Sequence, residues 1–169
     1  MDLLEAIHTR RSIREYTDKK VPENIIEKLL GSAMDAPSAM NYQPWHFVVI
    51  DKREILDDMF KIQSHADMLK KAQFGILVCG DNKVEQNIDY LVQDCSAVTQ
   101  NILLASHAQG LGSVWVSVYP NKDVIDGMRK YFKIPDGIIP ISLVSIGYPA
   151  EEKPSEDRYI ISKIHKNKW

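Results

Sequence analysis

Cysteine is scarce in this sequence: 169 residues hold only Cys79 and Cys95, each inside an apolar run. That excludes a disulfide framework and predicts two buried free thiols. An excess of one charge is also missing. Lysine and arginine total 21 against 23 acidic residues, for a formal net charge of -2. No basic field therefore argues for nucleic acid. No stretch approaches the ~20 apolar residues of a membrane span. The opening Met1-Asp2-Leu3-Leu4-Glu5-Ala6 has neither a basic start nor a long apolar run, so no signal peptide is expected. A cytoplasmic protein without a membrane partner is expected. The five histidines, His8, His46, His65, His107 and His165, are scattered and none stands at metal-ligand spacing, which predicts no metal. A Gly-x-Ser-x-Gly elbow, a Walker A loop and a catalytic cysteine context are absent too. With no nucleophile or acid–base pair in view, no catalytic side chain is assigned, and a cofactor is expected to do the chemistry.

What is present reads as one domain over residues 1–169, long enough for a sizeable core. Asp2 caps a short helix carrying Leu3, Leu4 and Ile7. Pro22 opens a second helix with an apolar stripe through Ile26, Leu29 and Ala33, ended by Pro37. His46–Asp51 reads as a strand, Arg53–Ile62 as a helix, and Phe74–Cys79 as a buried strand. Residues 86–109 form the longest helix, apolar on most sides, and hence central or facing a partner. Gly110 stops it. Ser113–Val118 is a strand, Asn121 caps a helix reaching Phe132, and Ile141–Ile146 is a last strand, preceded by Pro140. The tail from Ala150 to Trp169 is too polar to core a domain, yet carries Tyr159, Ile160, Ile161 and Ile164. An arm packed on another subunit accounts for both features.

Three stretches carry chemistry. Arg10, Arg11 and Arg14 with Ser12 put three guanidinium groups and a hydroxyl in five residues, and Arg10, Ser12 and Arg14 share one side of an extended segment. Guanidinium and hydroxyl together suit a phosphate. Ala36–Phe47 is a loop of small and amide side chains stiffened by Pro37 and Pro44, which lets backbone approach a flat ligand. Gly110-Leu111-Gly112-Ser113-Val114-Trp115 is no dinucleotide fingerprint, because its glycines follow a helix and open a strand. His107 reads as a packed residue.

These motifs, with Ile146-Gly147-Tyr148-Pro149 and Arg158 after them, resemble the FMN-dependent nitroreductase family. The resemblance implies an α+β fold with a central mixed, mainly antiparallel sheet surrounded by helices. It also implies a homodimer that exchanges C-terminal arms, residues 150–169 here, and binds FMN at its interface. Arg10, Ser12 and Arg158 match phosphate-binding positions, with Arg11 in the same segment. Arg14 matches a basic residue near the pyrimidine edge of the flavin. Pro37, Ser38, Ala39 and Asn41 match the loop that a partner subunit lays on the ring. Gly112 and Ser113 look like the backbone reaching the flavin edge near N5. Glu156 stands where some members carry a lysine. The implied activity is hydride transfer from NADH or NADPH through flavin N5 to a nitroaromatic, a quinone or a similar acceptor, in a ping-pong cycle. The alternatives are dehalogenation or flavin fragmentation on the same scaffold, and a flavin-binding module without turnover.

Overall fold

Four strands form one sheet: β1 (Trp45–Ile50), β2 (Phe74–Asp81), β3 (Gly112–Ser117) and β4 (Ile138–Gly147), in the order β1-β2-β4-β3. The computed structural model describes residues 1–169. β2, the continuous apolar run, is buried along nearly its whole length. Such a strand needs cover on both faces, which places it inside the sheet rather than at an edge. All three pairings are antiparallel. The mixed character implied by the resemblance enters through an isolated parallel bridge, Ser12 to Ser113, on the outer edge of β3.

Five helices cover the sheet: α1 (Leu3–Thr9), α2 (Glu23–Met34), α3 (Arg53–Ile62), α4 (Ile88–Ala108) and α5 (Lys122–Phe132). Asp2, Asn87 and Asn121 cap α1, α4 and α5 by accepting from first-turn N–H groups. Pro22 stands one residue before α2, as its cap, rather than inside it. On one face of the sheet, Leu29 and Ala33 of α2 and Cys95, Val98 and Ile102 of α4 pack on Ile76, Val78 and Val144. On the other, Leu56, Met59 and Met128 of α3 and α5 pack on Leu77, Cys79 and Leu143. The strand alternation sends successive side chains to opposite cores. Each large side chain so buried contributes about 1.5–3 kcal/mol. Both cysteines are buried, and burial pushes each thiol up to about 12.

β4 starts three residues earlier than the sequence suggests, so Pro140 lies inside it. The irregularity that tolerates a proline is visible. Pro140 faces Cys79, and the β2–β4 register shifts between Val78 and Cys79. The missing N–H thus falls where the ladder is already broken.

The tail leaves the sheet after Gly147 and forms one short turn at Ile161–Lys163. Every residue from Glu152 onward is exposed, including Tyr159 at 73% and Ile161 at 76%.

Gly112 opens β3 at a crowded point. A Cβ there would lie 2.6 Å from Ile13 Cγ2 and 2.8 Å from Ile13 Cβ. Ile13 is itself buried. Gly112→Ala is therefore expected to cost about 1–3 kcal/mol, the usual range for overpacking. Urea unfolding followed by circular dichroism measures this, and an unshifted midpoint contradicts it.

Candidate functional site

α1 ends at Arg10, and the chain then runs extended along the outer edge of β3. Ile13 anchors it: the main-chain N–H donates to Ser113 O at 3.1 Å, and the side chain fills the space above Gly112. Tyr16 anchors it again. Its buried hydroxyl donates to Ile13 O at 2.6 Å and lies 2.6 Å from Ser145 Oγ. Burial holds that hydroxyl well above the ordinary phenol range. With Ile13 turned inward, Ser12 and Arg14 face away from the core, and Arg14 is exposed.

Cations gather at the start of this segment. The Arg10 pKa is lowered, first by burial and then by the positive charges of Arg11 and Arg158. The tail therefore brings Arg158 into the field of Arg10 within one chain. Glu156 pairs with Arg158 at 3.1 Å, but both side chains are about two-thirds exposed, so water screens that pair. Arg11 is committed elsewhere. Its Nε donates to Pro154 O at 2.9 Å, and its Nη1 donates to His8 O at 3.0 Å and Arg10 O at 2.6 Å. Arg11 thus holds the tail root through Nε and Nη1 while its buried Nη2 has no partner, Arg158 is paired only with the exposed Glu156, and the Arg10 guanidinium and the Ser12 hydroxyl are unpaired within the chain.

His107 lies behind the segment, in a cleft of about 450 Å³ with Arg11 and Gly112. Thr9 Oγ1 donates its one proton to Glu5 O at 2.7 Å, so His107 Nε2, 2.7 Å from the same oxygen, is the donor. Burial and the charges of Arg10 and Arg11 hold this histidine toward its neutral form.

A second cleft, of about 410 Å³, is lined by Arg14, Gln63, His65, Met68 and the run from Val114 to Ser117. Residues of an antiparallel strand bond alternately to either side. Val118 N–H bonds to Ile141 O, so Ser113, Trp115 and Ser117 turn their main-chain groups outward. Ile13 takes Ser113 O, and Gln63 Nε2 takes Ser117 O at 2.7 Å. Trp115 is left between them, beside Arg14. Gly112 lies under Ile13 and Ser113 is only 2% exposed. Trp115, two residues beyond the pair singled out in the sequence, is the residue of this edge whose outward main chain has no partner within the chain.

Two residues that the sequence did not single out hold parts of this site in place. Gln63 follows α3 and is 7% exposed, with Oε1 accepting from His65 N–H at 3.1 Å; its one signal is a polar Gln-Ser-His run where an apolar helix stops. Glu151 hides in an acidic stretch that reads as solvated tail. It accepts from Arg14 N–H at 2.6 Å and Glu15 N–H at 3.2 Å, and these bonds, Arg14's first, hold its carboxyl below the usual range.

The Pro37–Gln43 loop stands apart. Met40, Asn41 and Gln43 adopt left-handed backbone, with φ of 51°, 56° and 50°. Pro37 and Asn41 are exposed, and Ser38 and Ala39 half-buried. Ser38 Oγ accepts from Gln43 N–H, and Asp94 Oδ1 accepts from Ala39 N–H, both at 2.9 Å. Asp94 is 5% exposed with its second oxygen unpartnered, and burial raises its pKa. The loop thus rests near the start of α4, whereas Arg10 and Thr9 lie by His107 in the last turn. At 1.5 Å per residue, Asp94 and His107 are roughly 20 Å apart along the helix. One chain does not bring loop and arginine segment together.

A sequence model described as the nitroreductase family matches residues 7–66 and 63–148. A protein of Methanothermobacter thermautotrophicus, provisionally named NADH dehydrogenase/NAD(P)H nitroreductase, is 47% identical over 169 residues, covering 100% of this chain and 88% of its own length. A solved structure of the same provisional name, from Parabacteroides distasonis, superimposes with a TM-score of 0.94 at 40% identity, covering 99% of this chain and 98% of that one. Another, a provisionally named nitroreductase from Desulfovibrio desulfuricans in complex with FMN, gives 0.85 at 29% identity, covering 100% and 98%. The matched residues include the arginine segment, the Pro37–Gln43 loop and β3, and this chain belongs to the nitroreductase family.

Proposed function

We propose that this protein is an NAD(P)H-dependent FMN oxidoreductase, a single domain over residues 1–169 that works as a homodimer. The observation that carries the reading is the guanidinium cluster. Arg10 is partly buried and lies in the field of Arg11 and Arg158, with its pKa lowered first by burial and then by those charges, and a bound anion would favour its charged form. The donor set of the Arg10 guanidinium, the Ser12 hydroxyl and Arg158, once released from its exposed pair with Glu156, suits a phosphate monoester. The second cleft offers what a flavin ring needs at its polar edge: a cation at Arg14, an amide at Gln63 and the open main chain of Trp115.

Bound there, FMN would supply hydride acceptance and donation, so that NAD(P)H and then a nitroaromatic, quinone or similar acceptor use one site in turn. The residues of this chain hold and bias that cofactor. Arg10, Ser12 and Arg158 would fix the phosphate. Arg14 would place positive charge where electron density grows on reduction, which favours the reduced form. Gln63, tied to Ser117 O, would present its amide without having to order it.

A second copy supplies what one chain lacks. Leu3, Leu4 and Ile7 of α1 are 68%, 66% and 47% exposed, and the tail adds Tyr159, Ile160, Ile161 and Ile164. Apolar surface of this extent marks an interface. Pairing through it would let Pro37, Ser38, Ala39 and Asn41 of one copy meet the Arg10–Arg14 segment of the other. FMN recorded in the Desulfovibrio desulfuricans relative supports the cofactor.

The purified protein is expected to be yellow or to take up one FMN per chain, seen by absorbance titration; a chain that stays colourless with added FMN refutes the reading. Arg10→Ala should weaken binding by about 1.5–3 kcal/mol, the range for a charge-assisted hydrogen bond. Arg14→Ala should instead lower the potential of the bound flavin and slow its reduction by NAD(P)H. Looser FMN at an unchanged potential would make Arg14 one more phosphate ligand.

Removing residues 150–169 should abolish both dimer and FMN binding, whereas Arg158→Ala should weaken FMN and leave the dimer intact. Light scattering with flavin absorbance separates the two. A truncated dimer that keeps its flavin would make the tail a surface appendage.

A further inference from the structure

The tail root is joined to the arginine segment by a short series of bonds. Ala150 N–H donates to Glu15 O at 2.9 Å, and Lys153 Nζ donates to Ser12 O at 2.7 Å. Arg11 Nε donates to Pro154 O at 2.9 Å. Glu151 differs from these in what it grips. One carboxylate oxygen, Oε1, accepts from two consecutive main-chain N–H groups, Arg14 at 2.6 Å and Glu15 at 3.2 Å. The neighbouring main chain is already held, since Ile13 N–H bonds to Ser113 O, and the Ile13–Arg14 peptide group that Glu151 takes by its N–H is held at its oxygen by Tyr16. Glu151 therefore ties that peptide group to the following one, Arg14–Glu15, and the Arg14 side chain departs from the Cα between the two. That side chain is exposed and turned to the cleft shared with Gln63 and Trp115.

We propose that Glu151 is a positioning residue for the flavin: by gripping the Arg14 and Glu15 main-chain N–H groups, it sets where the Arg14 guanidinium stands in that cleft. The proposal rests on the reading of the cleft as the site of the flavin's polar edge. Two features support it. Lys153, 3.2 Å from the same carboxylate, keeps Glu151 charged and adds no bond to Arg14. The grip also acts on backbone alone, so Glu151 leaves the guanidinium unneutralised and free for a ligand. An ion pair to the guanidinium would have cancelled the charge that the cleft needs. Position and charge are thereby supplied by different residues.

This separation gives the test its sign. Removing a nearby negative charge by itself makes a flavin easier to reduce and raises its potential. Losing the placement of Arg14 does the reverse. Glu151→Ala and Glu151→Gln are made alone and on an Arg14→Ala background, and loaded with FMN. The flavin potential, the rate of reduction by NADH and the FMN affinity are measured. For Glu151→Ala the proposal expects a lower potential, reduction slowed several-fold and a smaller change in FMN affinity. Gln keeps an accepting oxygen and should recover most of the loss. On the Arg14→Ala background neither substitution should lower the potential further. A potential that rises, or an equal shift with Arg14 already absent, overturns the proposal, because Glu151 would then act by its own charge. If Glu151→Ala does not fold, Glu151→Gln decides alone: a lowered potential that disappears on the Arg14→Ala background supports positioning, and an unchanged or raised one overturns it. A wild-type chain that takes up no FMN overturns the cofactor reading and this proposal with it, whereas a loaded chain indifferent to Glu151 overturns only the proposal.

Discussion

The contact between Ile13 and Gly112 is the constraint on which the rest of the site depends. A strand edge has unpaired main-chain groups, and an extended segment can lie along it at several heights. The missing Cβ at Gly112 makes a socket, and Ile13 fills it. That fixes the register of residues 10–16 on β3. Parity then does the rest: with residue 13 inward, Ser12 and Arg14 face outward, and the guanidinium groups come to one side of the sheet. A slip of one residue would bury the charges and expose the isoleucine.

Residues of one type carry different loads around this contact. Arg10 is partly buried among like charges, Arg11 gives Nε and Nη1 to three carbonyl groups and keeps Nη2 buried without a partner, and Arg14 stands exposed. The assignment follows from which way the backbone turns each residue, not from the side chain.

Much of the framework was legible in the sequence, because local signals and tertiary demands agree. α3 appears where its pattern puts it, and Asp2 and Asn121 cap the helices they precede. β4 was misjudged at its start, because a proline reads as a boundary when the partner strand's irregularity is out of sight. The arginine segment and the Pro37–Gln43 loop could be recognised as motifs. Their separation could not, because it follows from the length of α4. Gln63 and Glu151 were missed for another reason. Each works through contacts far along the chain, to Ser117 and to Arg14, and side-chain type at one position carries no trace of a distant main-chain partner.

The outer edge of β3 has a consequence for traffic past the sheet. Ile13 occupies the outward main chain at one end and Gln63 at the other, leaving only Trp115 between them. A gap one residue wide cannot template another strand, which needs several consecutive rungs. A peptide, or the edge of a misfolding neighbour, finds nowhere to add. The outer edge of β3 is thus closed to an added strand, and the single open rung at Trp115 is all that this margin offers.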